Sequence, residues 1–100
     1  MHNHSAYFWL KGDLSLEAIS EFEKGLESLT KIPFVKNGCF GKPADTHRSV
    51  VEGTYSYGLL LQFSDTSEHN QFQDHPIHKL FVDANSWKWD KVLVYDLEVL

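Results

Sequence analysis

His75 and His78 stand three residues apart around Pro76, in the run His-Pro-Ile-His. That spacing puts both rings near one end of a helix that Pro76 is suited to open. An imidazole with an ordinary pKa of about 6.5 takes up and gives back protons near neutral pH, so His78 is the candidate general acid or base. His75 either joins it against a ligand or caps the helix start with its side chain. His4 is the second candidate, because it shares strand parity with Ala6 and Phe8. If that parity faces the interior, His4, Tyr57, His78 and Trp89 converge as the few polar groups of an otherwise apolar pocket, the usual composition of a small-molecule site. Phe8, Phe72, Phe81 and Trp89 then serve as both core and pocket wall. A metal site would need a third ligand such as His4 or Asp74 beside His75 and His78, and no recognised spacing supplies one, so neither metal nor cofactor is expected.

Other reactive side chains have plainer readings. Arg48 is the single arginine and either clamps a carboxylate, pairs across an interface or sits on the surface. Cys39 reads as a small buried apolar residue with no neighbouring base to activate it. His2 and His47 read as solvated, and Glu17, Glu21, Glu23 and Glu27 as a solvated helix face.

The elements that must position these residues follow from periodicity. His4 to Lys11 is dense in aromatics and reads as a strand buried on both faces. Gly12-Asp13 breaks it, Ser15 offers an N-cap, and Leu16, Ile19, Phe22, Leu26 and Leu29 recur at helical spacing until Pro33. Phe34 to Phe40 is a short strand candidate, Pro43 to Gly53 a loop long enough to carry function, and Thr54 to Phe63 a strong strand. Ser64 to Ser67 opens a short helix through Phe72, Pro76 starts another that closes at Asn85-Ser86, and Trp89 to Val99 alternates as a last strand. The order β, α, β, β, broken α, β is the ferredoxin-like split pattern: an α+β fold with a four-stranded antiparallel sheet and helices on one face. Strands apolar on both parities leave the other face in need of a cover, and a second copy of the chain is the economical one.

Length and charge narrow the function classes. One hundred residues with 14% aromatic content predict a single domain over 1–100 with more aromatic surface than so small a chain readily hides. A net charge of −5 with scattered lysines argues against nucleic acid as a partner. There is no run of about 20 apolar residues for a membrane span. No basic start followed by an apolar run marks a signal peptide, and one cysteine excludes an internal disulfide, so a cytoplasmic location is expected.

The segments Phe-Trp-Leu-Lys at 8–11, Gly-Leu-Glu-Ser-Leu at 25–29, Gly-Lys-Pro-Ala at 41–44, His-Pro-Ile-His at 75–78, Trp-Asp-Lys-Val at 89–92 and Val-Tyr-Asp at 94–96, in this order and spacing, resemble the stress-responsive A/B barrel domain (Dabb) family. The family lies within the dimeric α+β barrel superfamily, and the Gly-Lys-Pro-Ala turn resembles its bacterial branch. The resemblance covers essentially the whole chain. It implies a ferredoxin-like protomer whose sheet closes a barrel with that of a second copy. A plant member of the family closes a polyketide chain by an aldol-type condensation using a tyrosine and a histidine. By that resemblance the histidine corresponds to His78, a second pocket histidine to His4, and the tyrosine to Phe72, which carries no hydroxyl. Three functions are therefore carried forward. The first is a homodimer binding a small apolar or aromatic carbonyl compound between sheet and helices, with cyclase- or isomerase-like proton transfer through His78. The second is a non-catalytic, stress-related dimer with a packed interior, and the third a cofactor-free monooxygenase.

Overall fold

The computed structural model describes all 100 residues. The elements are β1 (His2–Leu10), α1 (Leu16–Thr30), β2 (Asn37–Gly41), β3 (Tyr57–Phe63), α2 (Thr66–Asp74), α3 (Pro76–Asn85), a 3-10 turn (Ser86–Lys88) and β4 (Trp89–Glu98). The strands form one sheet in the order β2-β3-β1-β4, with every neighbouring pair antiparallel. This is the ferredoxin-like arrangement expected from the element order, with the broken second helix resolved into α2 and α3.

Side-chain parity divides the sheet into two unlike faces. On β1, His2, His4, Ala6 and Phe8 are buried, as are Tyr57, Leu59, Leu61 and Phe63 on β3. α1 covers this face because its buried stripe of Ala18, Phe22, Leu26 and Leu29 follows the helical period. The Ser15 hydroxyl accepts from the Ala18 amide at 3.1 Å and fixes where α1 starts. Phe22 is the hub: its ring lies 5.2 Å from that of Phe8, 5.4 Å from Tyr57 and 5.7 Å from Phe81, all in the edge-on or tilted geometries that aromatic quadrupoles favour.

α3 reaches α1 at Gly25. A Cβ placed there would meet Phe81 Cδ1 at 2.8 Å and Asn85 Nδ2 at 3.0 Å. Gly25→Ala therefore has to push the two helices apart despite alanine's better helix propensity. A loss of about 1–3 kcal/mol is expected in denaturant unfolding; an unchanged or raised midpoint would show that the helices are not in such close contact.

Beyond shifts of one or two residues at other element ends, the structure departs from the sequence expectation at two strand starts and one side chain. The second strand begins at Asn37 rather than Phe34, because Ile32 to Val35 turns the chain, with Phe34 at φ 91°. The third begins at Tyr57 rather than Thr54. The Ser56 amide donates to the Phe8 carbonyl at 2.7 Å and its hydroxyl accepts from the Leu10 amide at 2.9 Å, so the residue before the strand braces the end of β1. Cys39, expected to be buried, is exposed, because it pairs with Leu60 on the face that no helix covers.

Candidate functional site

Between the sheet and the helices lies a cavity of about 300 Å³. Its walls are mainly apolar, built by Phe8 and Ala6 from β1, Leu59 from β3, Phe72 from α2, Phe81 from α3, and Trp89, Val92 and Val94 from β4. Three polar side chains interrupt the lining: His4, Gln73 and His78. Of the residues singled out from sequence, the cavity brings together His4, His78, Phe8, Phe72, Phe81 and Trp89.

Tyr57 and His75 stand apart from this lining. Tyr57 has the right parity, but its hydroxyl donates to the Glu23 carboxylate of α1. Burial, reinforced by Glu23, pushes the phenol well above the ordinary tyrosine range, so it stays protonated. His75 caps α3: its Nδ1 accepts from the Ile77 amide at 3.1 Å, with Pro76 as the first helical residue. That is the capping alternative read from the sequence.

His78 is held by the helix that His75 and Pro76 start, and its ring meets the Phe72 ring edge-on at 5.1 Å. Burial, with the nearby imidazoles of His4 and His69, lowers its pKa below the ordinary histidine value. His78 is thus neutral at neutral pH, with one ring nitrogen free to accept a proton. His4 is likewise held neutral, chiefly by burial, against the opposing pull of Asp96.

Behind His4 lies a cluster that sequence spacing did not reveal. His4 Nδ1 is 2.7 Å and His2 Nε2 2.8 Å from the same oxygen, Oδ1, of Asp96. His69 Nε2 is 3.5 Å from that oxygen and 3.2 Å from His4 Nδ1. The His2 and His69 rings stack with centroids 4.2 Å apart. His2, expected to be solvated, is only 4% exposed, because its parity points it beneath α2. Burial works against ionisation of Asp96, yet its bonds to His2 and His4 win and hold the carboxyl below the usual carboxylate range. The register explains the assembly: β1 and β4 pair His4 with Asp96 across the ends of the chain, and α2 lays His69 over them. The available sequence signal was the shared parity of His2 and His4. Their partners, 67 and 94 positions beyond His2, are legible only once the strand order is known.

A larger groove of about 450 Å³ lies on the helix-free face, lined by residues such as Asn3, Ser5, Asn37, Cys39, Leu60 and Gln62. His4 reaches its edge but His78 does not, and it belongs to the face that needs a cover.

Comparison with known proteins agrees with this architecture. A ferredoxin-like Dabb family protein of Mesorhizobium loti superimposes with a TM-score of 0.76 at 22% identity, over 99% of this chain and 96% of that one. The Arabidopsis thaliana protein At3g17210 gives 0.82 at 26% identity, over 100% and 96%. The hydroxynitrile lyase of Passiflora edulis gives 0.81 at 18% identity, over 99% and 93%. Among curated proteins no sequence match is found. The family model described as the stress responsive A/B barrel domain matches residues 3–99. With nearly the whole chain matched and the ferredoxin-like sheet in place, the protein belongs to the stress responsive A/B barrel domain (Dabb) family.

Proposed function

We propose that the protein is a homodimer that binds a small apolar or aromatic carbonyl compound in the cavity between sheet and helices, where His78 takes up and returns a proton. The observation that carries this reading is the mainly apolar lining between sheet and helices, interrupted by two imidazoles, His4 and His78. An aromatic body fits against Phe8, Phe72, Phe81 and Trp89. Its carbonyl oxygen finds a donor in one imidazole, and the adjacent acidic carbon a base in the other. Phe72 has no phenol to contribute, so the chemistry falls on the histidines. The hydroxynitrile lyase with the same fold gives a precedent for catalysis on this scaffold. The alternative of a packed interior leaves no space of this size.

Dimerisation is supported by the uncovered face. Leu60, Tyr95 and Leu97 there are 49%, 57% and 55% exposed, a contiguous apolar surface of the kind that marks an interface. Asn3 Oδ1, in the groove on the same face, is buried with no partner in the chain. A protein of Jannaschia sp. CCS1, 25% identical over 98% of both chains with a TM-score of 0.77, is described as a dimeric ferredoxin-like protein.

Thermal-shift measurement with a panel of small aromatic ketones and aldehydes tests the site. Wild type is expected to be stabilised by at least one of them, and His78→Ala to lose that shift while remaining dimeric. Stabilisation that survives His78→Ala would remove this residue from the site. For any turnover found, His78 must start neutral, and its pKa lies below the ordinary value. The rate should therefore hold through neutral pH and fall only as pH drops below about 6.5. Oxygen uptake during turnover would favour the monooxygenase reading instead.

A further inference from the structure

We propose that His2, His4, His69 and Asp96 form a binding site for a divalent transition-metal ion of the zinc type. The four ligand atoms lie within 4.8 Å of one another. A tetrahedral ion with bonds of about 2.0–2.1 Å places its ligand atoms about 3.3 Å apart. The separations of 2.7 and 2.8 Å to Asp96 from His4 and His2, of 3.5 Å from His69 to Asp96 and of 3.2 Å from His69 to His4 bracket that value.

The outer partners suit the tautomers that an ion requires. His69 Nδ1 is 3.1 Å from Asn70 Oδ1, which can only accept, so Nδ1 carries the proton and Nε2 presents a lone pair inward. His2 Nδ1 is 3.1 Å from the Thr66 hydroxyl, which can accept from it while donating to Glu98 at 3.4 Å. In that tautomer His2 Nε2 presents a lone pair inward, whereas without an ion the other tautomer donates from Nε2 to Asp96 at 2.8 Å. In those tautomers three inward ring nitrogens and one anionic oxygen converge on one point. A cation satisfies all four at once. Donation of the outer ring nitrogen to an oxygen acceptor is how metal-binding histidines are oriented.

Three imidazoles and one carboxylate suit zinc, nickel or copper better than magnesium or calcium, which prefer oxygen. Four protein ligands make a closed site, so the ion is a structural clamp between α2 and the paired ends of β1 and β4. The site requires no ligand in the cavity; it shares only His4 with it. With Nδ1 bound to the ion, His4 keeps its proton on Nε2 and can only donate, which leaves His78 as the base.

Untagged protein freed of metal with a chelator is titrated with Zn²⁺ by calorimetry and with Co²⁺ by visible absorption. One ion per chain is expected, with the intense bands of tetrahedral cobalt. His69→Phe, which keeps an aromatic ring under α2, should abolish both signals. Thr66→Val, at the exposed start of α2, should weaken binding about 10–100-fold while retaining the fold, and it carries the test if His69→Phe does not fold. Absence of saturable binding overturns the proposal. So does wild-type affinity in both variants, or loss of the ion on His47→Ala, which would place it at the exposed His47–Asp45 pair. A ligand-induced thermal shift that persists in metal-free protein would leave the cavity reading standing by itself.

Discussion

Leu60→Asp is expected to convert the dimer to monomers. Leu60 lies in the middle of β3, paired with Ser5 on one side and Cys39 on the other, and points out from the helix-free face. In a two-fold interface each substitution appears twice. An aspartate is too short to carry its charge out to water, and an unpaired charge taken from water costs several kcal/mol even after relaxation. A net loss of about 4 kcal/mol over the two sites corresponds to a dissociation constant raised about a thousandfold. Sedimentation or light scattering at micromolar concentration reads this directly. Leu16→Asp is the control, since Leu16 is 86% exposed in the first turn of α1 and far from the sheet face. If Leu60→Asp stays dimeric, or Leu16→Asp dissociates equally, the interface is on another surface.

Lys88→Ala is expected to cost about 3–5 kcal/mol of folding stability. Lys88 is 1% exposed, an unusual place for an ammonium group. Its Nζ donates to the Ala18 carbonyl at 2.9 Å and to Asn85 Oδ1 at 2.7 Å, with Glu21 at 3.6 Å. The lysine thus joins the start of α1 to the end of α3, and Asn85 in turn donates to the Phe81 carbonyl at 3.0 Å. Truncation leaves the buried Asn85 amide oxygen unpartnered, at about 1–3 kcal/mol, and removes a charged second donor from the Ala18 carbonyl, in addition to the lost packing of the stem. For a chain of this size the melting temperature should fall by about 15 °C or more. Lys88→Met separates the contributions: it restores the stem but not the bonds, and should recover less than half of the loss. Full recovery in methionine would show that packing alone makes Lys88 important.

Much of this architecture is written locally in the chain. Alternation in β1 and β3, the helical stripe through Phe22, Leu26 and Leu29 and the stop before Pro33 follow from local periodicity and leave few topologies, although Leu16, read into that stripe, lies exposed in the first turn where Ala18 is buried instead. His78 and His4 are legible because the His-Pro-Ile-His run and the parity of β1 constrain where their rings go. Tyr57 shows where such reasoning ends: its parity is right, yet the hydroxyl is claimed by Glu23 on α1, a residue that sequence alone assigns to the solvated face. Lys88 and the cluster around Asp96 are illegible for the same reason. Each is defined by partners up to 94 positions away, brought together by strand register and helix docking rather than by spacing. Cys39 was misplaced because a five-residue strand of mixed polarity does not declare which face meets water.

In the proposed function the cavity between sheet and helices, and not the groove on the open face, receives a small molecule against His78 and His4. A crystal structure of the dimer with a stabilising aromatic carbonyl compound tests it most directly. The account predicts density for the compound between Phe72, Phe81 and Trp89, with its oxygen within hydrogen-bond distance of one of the two imidazoles. Density instead in the groove beside Asn3 and Leu60, or side chains closing the space around His78, would contradict it.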